Sequence, residues 1–233
     1  MCMCAPVEGF VYLLDVQSFG PGAAPFCSPA VRDWEHTPKH LHAAALEVLL
    51  QTHLMVGFPR VINALQVVRE HPSLAPDPGN ASLSCQEQQH SWRGAGEALL
   101  QRIYGGASKA GRLRQNMRHL HPHLELWMVE HGYGRVLSRS PYQGLCGRLR
   151  ELCVVASLAG QNVPPQLISH LLGAVRLGAT LQQCREVLDQ TYLVWGDVAQ
   201  QQCDAVWAHM QERGMFQSLL NPDTQAERKG DKG

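Results

Sequence analysis

The 233-residue sequence predicts an all-α fold, on three observations. Residues 46–57, LEVLLQTHLMVG, return as residues 185–196, REVLDQTYLVWG. Glu47, Val48, Leu49, Gln51, Thr52, Leu54 and Gly57 match Glu186, Val187, Leu188, Gln190, Thr191, Leu193 and Gly196 at one constant offset. Self-similarity of this kind marks a duplicated supersecondary unit, here a helical hairpin packing with its twin on one core. Within the first copy Val48, Leu49, Thr52 and Val56 keep the three-to-four spacing of a buried helical stripe. No segment alternates in the manner of a strand with β-branched enrichment, which removes the sheet classes.

Taken in order, the elements announce their ends. Thr37-Pro38 reads as an N-cap followed by proline at the first helical position. Residues 71–84, HPSLAPDPGNASLS, are too rich in proline, glycine and serine for a helix and read as a linker. Helices resume with WRGAGEALLQRIYG (92–105), a short basic segment follows, and HPHLELWMVEHGYG (121–134) starts at Pro122 and ends at Gly132 or Gly134. Glu151 opens an apolar helix, and Pro164 and Pro165 suit the first turn of the next, beyond Asn162 and Val163. Gly178 ends that helix through a positive φ, and Thr180 with Gln183 forms a capping box for the last repeat helix. The polar tail NPDTQAERKGDKG is expected to be disordered. The organisation expected is a degenerate first repeat at 1–70, a linker at 71–91, a more complete second repeat at 92–218 and a tail at 219–233.

Composition excludes several function classes. Apolar residues are 45% and charged residues 17%, ordinary for a globular chain. Lys plus Arg and Asp plus Glu number twenty each, so the net charge points to neither nucleic acid nor a membrane as partner. No apolar run reaches the roughly 18 residues of a span. The first twenty residues lack a basic n-region and their apolar run is broken by Asp15, so a cytoplasmic location is expected. None of the eight cysteines forms a CxxC pair, and they are read as reduced, mostly buried thiols. No phosphate-binding glycine fingerprint occurs. His119, His121 and His123 could chelate from a strand, but Pro122 implies a helix start that scatters them, and no metal is expected.

Two residues carry the candidate chemistry. His170 lies in the otherwise apolar run Leu167-Ile168-Ser169-His170-Leu171-Leu172, so its imidazole faces an interior or an interface. Such a histidine is either a satisfied core group or a base that takes and gives a proton near neutrality. Glu151 is either a carboxylate favoured by the dipole of a first helical turn or the group that orients His170. Arg139, Arg148 and Arg150 are surface charges or a bidentate clamp for a substrate carboxylate. Tyr192 and Trp195 extend the site from the repeat helix, where the first copy has His53 and Val56.

The stretches GYGRVLSRSPYQGLCGRLREL (132–152), PQLISHLLGAVRLGAT (165–180) and REVLDQTYLVWGD (185–197) resemble the carboxymuconolactone decarboxylase family of the alkylhydroperoxidase D-like superfamily. In the first half only ALEVLLQTHLMVGFPRVINAL (45–65) carries the likeness. The resemblance implies a helical bundle assembled as a homo-oligomer, a trimer or hexamer. It further implies a cofactor-independent lyase or isomerase acting on a small carboxylated lactone or organic acid. Glu151 and His170 are then catalytic, and Arg139, Arg148, Tyr192 and Trp195 line the substrate. The superfamily's dithiol peroxidases need two cysteines where this chain has Val163 and Gln166, so that relay is rejected. Tyr12 and Val31 stand in the first copy where the acid and base would project, which makes that copy structural. Two other readings remain: a non-catalytic helical binding or assembly module, and a peroxidase acting through Cys153.

Overall fold

The computed structural model describes residues 38–70, 92–139 and 145–220, and every element among them is helical. Tyr12, Val31, Thr37, the linker and the charged tail lie outside the described residues. Helix α1 (Pro38–Val56) and α2 (Phe58–Glu70) form a hairpin hinged at Gly57, whose φ of 79° only glycine adopts without strain. A small cluster of Leu49, Ala64 and Val68 joins the two. Helices α3 (Trp92–Tyr104), α4 (Ala107–Leu120) and α5 (Pro122–Trp127) follow, and α5 runs directly into a π-helical turn pair, Met128–Leu137. The second half builds the main core from α6 (Gly147–Ala159), α7 (Pro164–Arg176) and α8 (Leu181–Glu212), with a short α9 (Gln217–Leu220). Leu100, Ile103, Val155, Leu171, Ala174, Cys184 and Leu188 are among its fully enclosed members.

The punctuation expected from sequence is largely present. Pro122 and the Pro164-Pro165 pair occupy first helical turns, and Gly178 takes a φ of 98° just past α7. Thr180 accepts from the Gln183 backbone N–H while the Gln183 side chain accepts from the Thr180 N–H, the reciprocal capping box. The two similar segments also share local geometry. Thr52 and Thr191 each donate to the carbonyl three residues back, and Gly57 and Gly196 each break the helix with φ near 79° and 75°. The basic segment is itself a helix, α4.

Gly132 and Gly134 do not end their helix; the chain continues as a π-helix to Leu137. The reason is close packing. A Cβ at Gly134 would lie 2.0 Å from the Trp92 carbonyl oxygen, and one at Gly96 2.0 Å from the Val129 carbonyl oxygen. Glycine here lets α3 and the π-helix touch backbone to backbone. Gly134→Ala is therefore expected to destabilise by roughly 3 kcal/mol, the upper part of the overpacking range, because a carbonyl cannot rotate away as a side chain would. Thermal unfolding checks this; an unchanged midpoint would mean the two helices are not so close.

Candidate functional site

Glu151 sits in the second turn of α6, where its own N–H is already inside the helix, and the first turn holds no acid. The dipole explanation expected from sequence therefore does not account for it. Its carboxylate is enclosed, at 1% exposure, and accepts a hydrogen bond from His170 Nδ1 at 2.8 Å. An ionised carboxylate can only accept, so Nδ1 carries the hydrogen and Nε2 is the ring atom left to exchange a proton. The His170 side chain retains 11% of its surface. Two antiparallel neighbours, α6 and α7, bring the pair together, and Gly173 makes room for it. A Cβ there would lie 2.8 Å from Glu151 Oε2 and 2.8 Å from Ile103 Cγ2.

The pair has two aromatic companions that sequence reasoning missed. Tyr133, from the π-helix, is buried, with Tyr104 at the end of α3 and the Glu151 carboxylate as its polar neighbours. Burial pushes the Tyr133 phenol well above its ordinary value, and Tyr104 and the Glu151 charge push the same way. It therefore stays a neutral hydroxyl against the carboxylate. The available signal was the π-helix itself, a rare feature frequent at functional sites, but no local residue pattern announces one.

The other candidates are engaged elsewhere. Arg139 Nε donates to Glu47 at 2.9 Å, and Arg148 Nη1 donates to the Gly178 carbonyl at 3.4 Å. Arg150, 1% exposed, donates to Glu47 at 2.8 Å and to Gln51 Oε1 at 3.1 Å, while the Gln51 amide donates back to the Arg150 carbonyl. This network locks α1 onto α6. Trp195 covers Gly160, where a Cβ would lie 2.2 Å from the indole ring. Gly160 is nine residues past Glu151, about 13 Å along α6 at the rise of an α-helix. Trp195 thus packs at the far end of the helix from the acid–base pair. Tyr192 lies on α8, with its side chain outside the described residues.

The histidines have separate tasks. His121 accepts from the His123 N–H at the start of α5, His123 stacks near Trp127, and His131 Nε2 meets His53 Nε2 at 2.9 Å. Burial, then the neighbouring His53, holds His131 below its usual value. Cys153 is pushed up to about 12 by burial, against the pull of Arg150, so almost no thiolate forms near neutrality. Cys146 is disulfide-bonded, so the reading of all eight cysteines as reduced does not hold for it.

Glu125 offers a test of the electrostatics. It is buried, which raises its value, yet hydrogen bonds and charge from Arg114 at 2.6 Å and Arg118 at 3.3 Å outweigh burial and hold it below the ordinary range. A depressed folded value contributes stability above the unfolded value, about 4.3, and loses it as pH falls through the folded one. Glu125→Gln is thus expected to lower the melting temperature at neutral pH, with the gap to wild type closing below about pH 4. A gap that persists unchanged in acid would show the loss to be one of packing alone.

The fold and this site define an all-helical protein with a buried carboxylate–imidazole pair between two adjoining helices. Over 151 residues the chain is 30% identical to peroxisomal protein 2 of Schizosaccharomyces pombe, covering 64% of this chain and 67% of that one. Over 193 residues it is 28% identical to peroxisomal protein 2 of Saccharomyces cerevisiae, covering 72% of this chain and 65% of that one. The chain belongs to the peroxisomal protein 2 family, and spans about two thirds of the length of these relatives. No family model matches it, and no solved structure matches it. The names of these relatives overturn the cytoplasmic expectation. Hydropathy reports on membrane crossing, whereas peroxisomal addresses are short signals read by receptors.

Proposed function

We propose that the chain is a peroxisomal, carboxymuconolactone decarboxylase-like lyase or isomerase, acting without a cofactor on a small carboxylated lactone or related organic acid. The supporting observation is the enclosed Glu151–His170 hydrogen bond of 2.8 Å. In the proposed step the carbon–carboxylate bond breaks, carbon dioxide leaves, and the electron pair delocalises into the substrate's own conjugated carbonyl. Protonated His170 then delivers a proton from Nε2 to that carbon, while Glu151 stabilises the imidazolium and holds its tautomer. Tyr133, kept a neutral phenol by its burial, adds no second charge beside the carboxylate. The raised Cys153 thiol speaks against the peroxidase reading.

The matching segments, with their like threonine bonds and hinge glycines, support a duplicated hairpin of which only the second copy keeps the acid–base pair. Phe58, Ile62 and Val67 stand exposed on α2, and a face of this kind suits the proposed trimeric or hexameric association of identical chains. A second reading, a non-catalytic helical assembly module, is favoured by one observation. Arg139 and Arg148, expected to hold a substrate carboxylate, are bonded to Glu47 and to the Gly178 carbonyl. The experiment that separates the two readings is the ultraviolet decay of a carboxymuconolactone-type substrate with the wild-type protein. Turnover supports the lyase; its absence, with no saturable binding of the acid, leaves the module.

A further inference from the structure

The charges of this chain balance in sum and segregate in place. From residue 98 to residue 124 there is no Asp or Glu, while Arg102, Lys109, Arg112, Arg114 and Arg118 are joined by His119, His121 and His123. Helix α4 buries Ala110 and half-buries Leu113, Arg114 and Met117, the side turned to the molecule. Its exposed side then carries Lys109, Arg112, Asn116 and His119 at helical spacing. Arg114 is neutralised by Glu97 and Glu125, but Arg112 touches only the Ser108 hydroxyl among the described residues. At the end of this basic face the chain turns at His121, and there three large apolar side chains face outward. Leu120 is 70% exposed, Leu124 43% and Trp127 66%.

A solvated charge face explains the cations and not the tryptophan and leucines beside them. Cations flanking an exposed indole and leucines are the pattern of a surface that rests at the boundary between lipid headgroups and acyl chains. The apolar tip enters the boundary and the basic flank meets anionic headgroups. Among the described residues no helix is long and apolar enough to cross a membrane, so the contact is peripheral. We propose that the α4–α5 hairpin tip, Leu120, Leu124 and Trp127 flanked by Lys109 and Arg112, docks on an anionic phospholipid surface. This surface is separate from the acid–base pair and stands whether or not that pair is catalytic.

The test is co-sedimentation of the full chain with vesicles of phosphatidylcholine alone and of phosphatidylcholine with about one quarter phosphatidylserine. Binding is expected to the anionic vesicles only, and to weaken with salt. A Lys109→Gln, Arg112→Gln double variant is expected to bind roughly 25-fold more weakly, at about fivefold for each cation. Trp127→Ala is expected to bind at least about tenfold more weakly, from the apolar area withdrawn. Both substitutions lie on exposed positions, and circular dichroism verifies that they fold. Equal binding to neutral vesicles, no binding to either, or wild-type binding by the double variant would overturn the proposal. So would binding of duplex DNA without binding of vesicles, which would make the face one for nucleic acid. A change in oligomeric mass caused by Trp127→Ala, with vesicle binding intact, would instead assign the tip to a second copy of the chain.

Discussion

Glu47→Leu is expected to destabilise the protein by about 3–5 kcal/mol, the cost of removing one partner from a buried ion pair. Arg150 is 1% exposed and depends on Glu47 for its counter-charge. Without that carboxylate the guanidinium keeps, among the described residues, only the Gln51 oxygen at 3.1 Å, and its Nε has no hydrogen-bond partner among them. It cannot lose its proton as a buried lysine can, so the penalty must appear as stability. Arg150→Met is expected to cost less, because Glu47 keeps Arg139 at 2.9 Å, a residue that reaches solvent. The double variant Glu47→Leu, Arg150→Met removes both buried charges and is expected to recover most of the loss, since apolar replacements of buried pairs are often near neutral. Urea unfolding of the four proteins gives the coupling directly. A Glu47→Leu variant within about 1 kcal/mol of wild type would mean that α1 does not hold Arg150 in solution as it does in this structure.

That network also shows what the sequence could and could not convey. Glu47 and Gln51 are matched by Glu186 and Gln190, which flags them as part of a repeated unit but says nothing of their partner, Arg150, some hundred residues away. Helix ends were legible where the signal is local: Pro122, Pro164, Gly178 and the Thr180–Gln183 box each act within one turn. Gly134 was misread because a glycine required by a close neighbour looks the same in sequence as a glycine required by a turn. The Trp92 carbonyl it accommodates is about forty residues distant. The same limit applied to the candidate site. Glu151 and His170 stand out because each sits on an apolar helix, and the structure brings the two together. Arg139, Arg148 and Trp195 were grouped with them by proximity along the chain, and the fold sends each to a different neighbour. Tyr133 and Tyr104 enter only through the packing of α3 against the π-helix.

The largest expected effect is on catalysis. His170→Ala is expected to lower kcat on a carboxymuconolactone-type substrate by about 10²–10⁴, the range for loss of a positioned general acid–base group. In the proposed step its imidazole exchanges a proton with the reacting carbon and does not anchor the substrate, so KM should change little and kcat should carry the loss. Glu151→Gln tests a different role. Glutamine keeps an acceptor oxygen for His170 Nδ1–H but supplies no charge to stabilise the imidazolium. A hydrogen bond to a charged group exceeds a neutral one by about 1–2 kcal/mol, which predicts a loss of roughly 5–30-fold. The order His170→Ala, then Glu151→Gln, then wild type is the signature of a base held by a positioning carboxylate. Both variants should be compared with wild type by thermal unfolding, since a purely structural pair would lower the melting temperature without splitting kcat from KM. If the wild type turns over and His170→Ala matches it, the proton passes through some other group and the lyase assignment of this pair fails. The 2.8 Å bond would then be a core contact that joins α6 to α7.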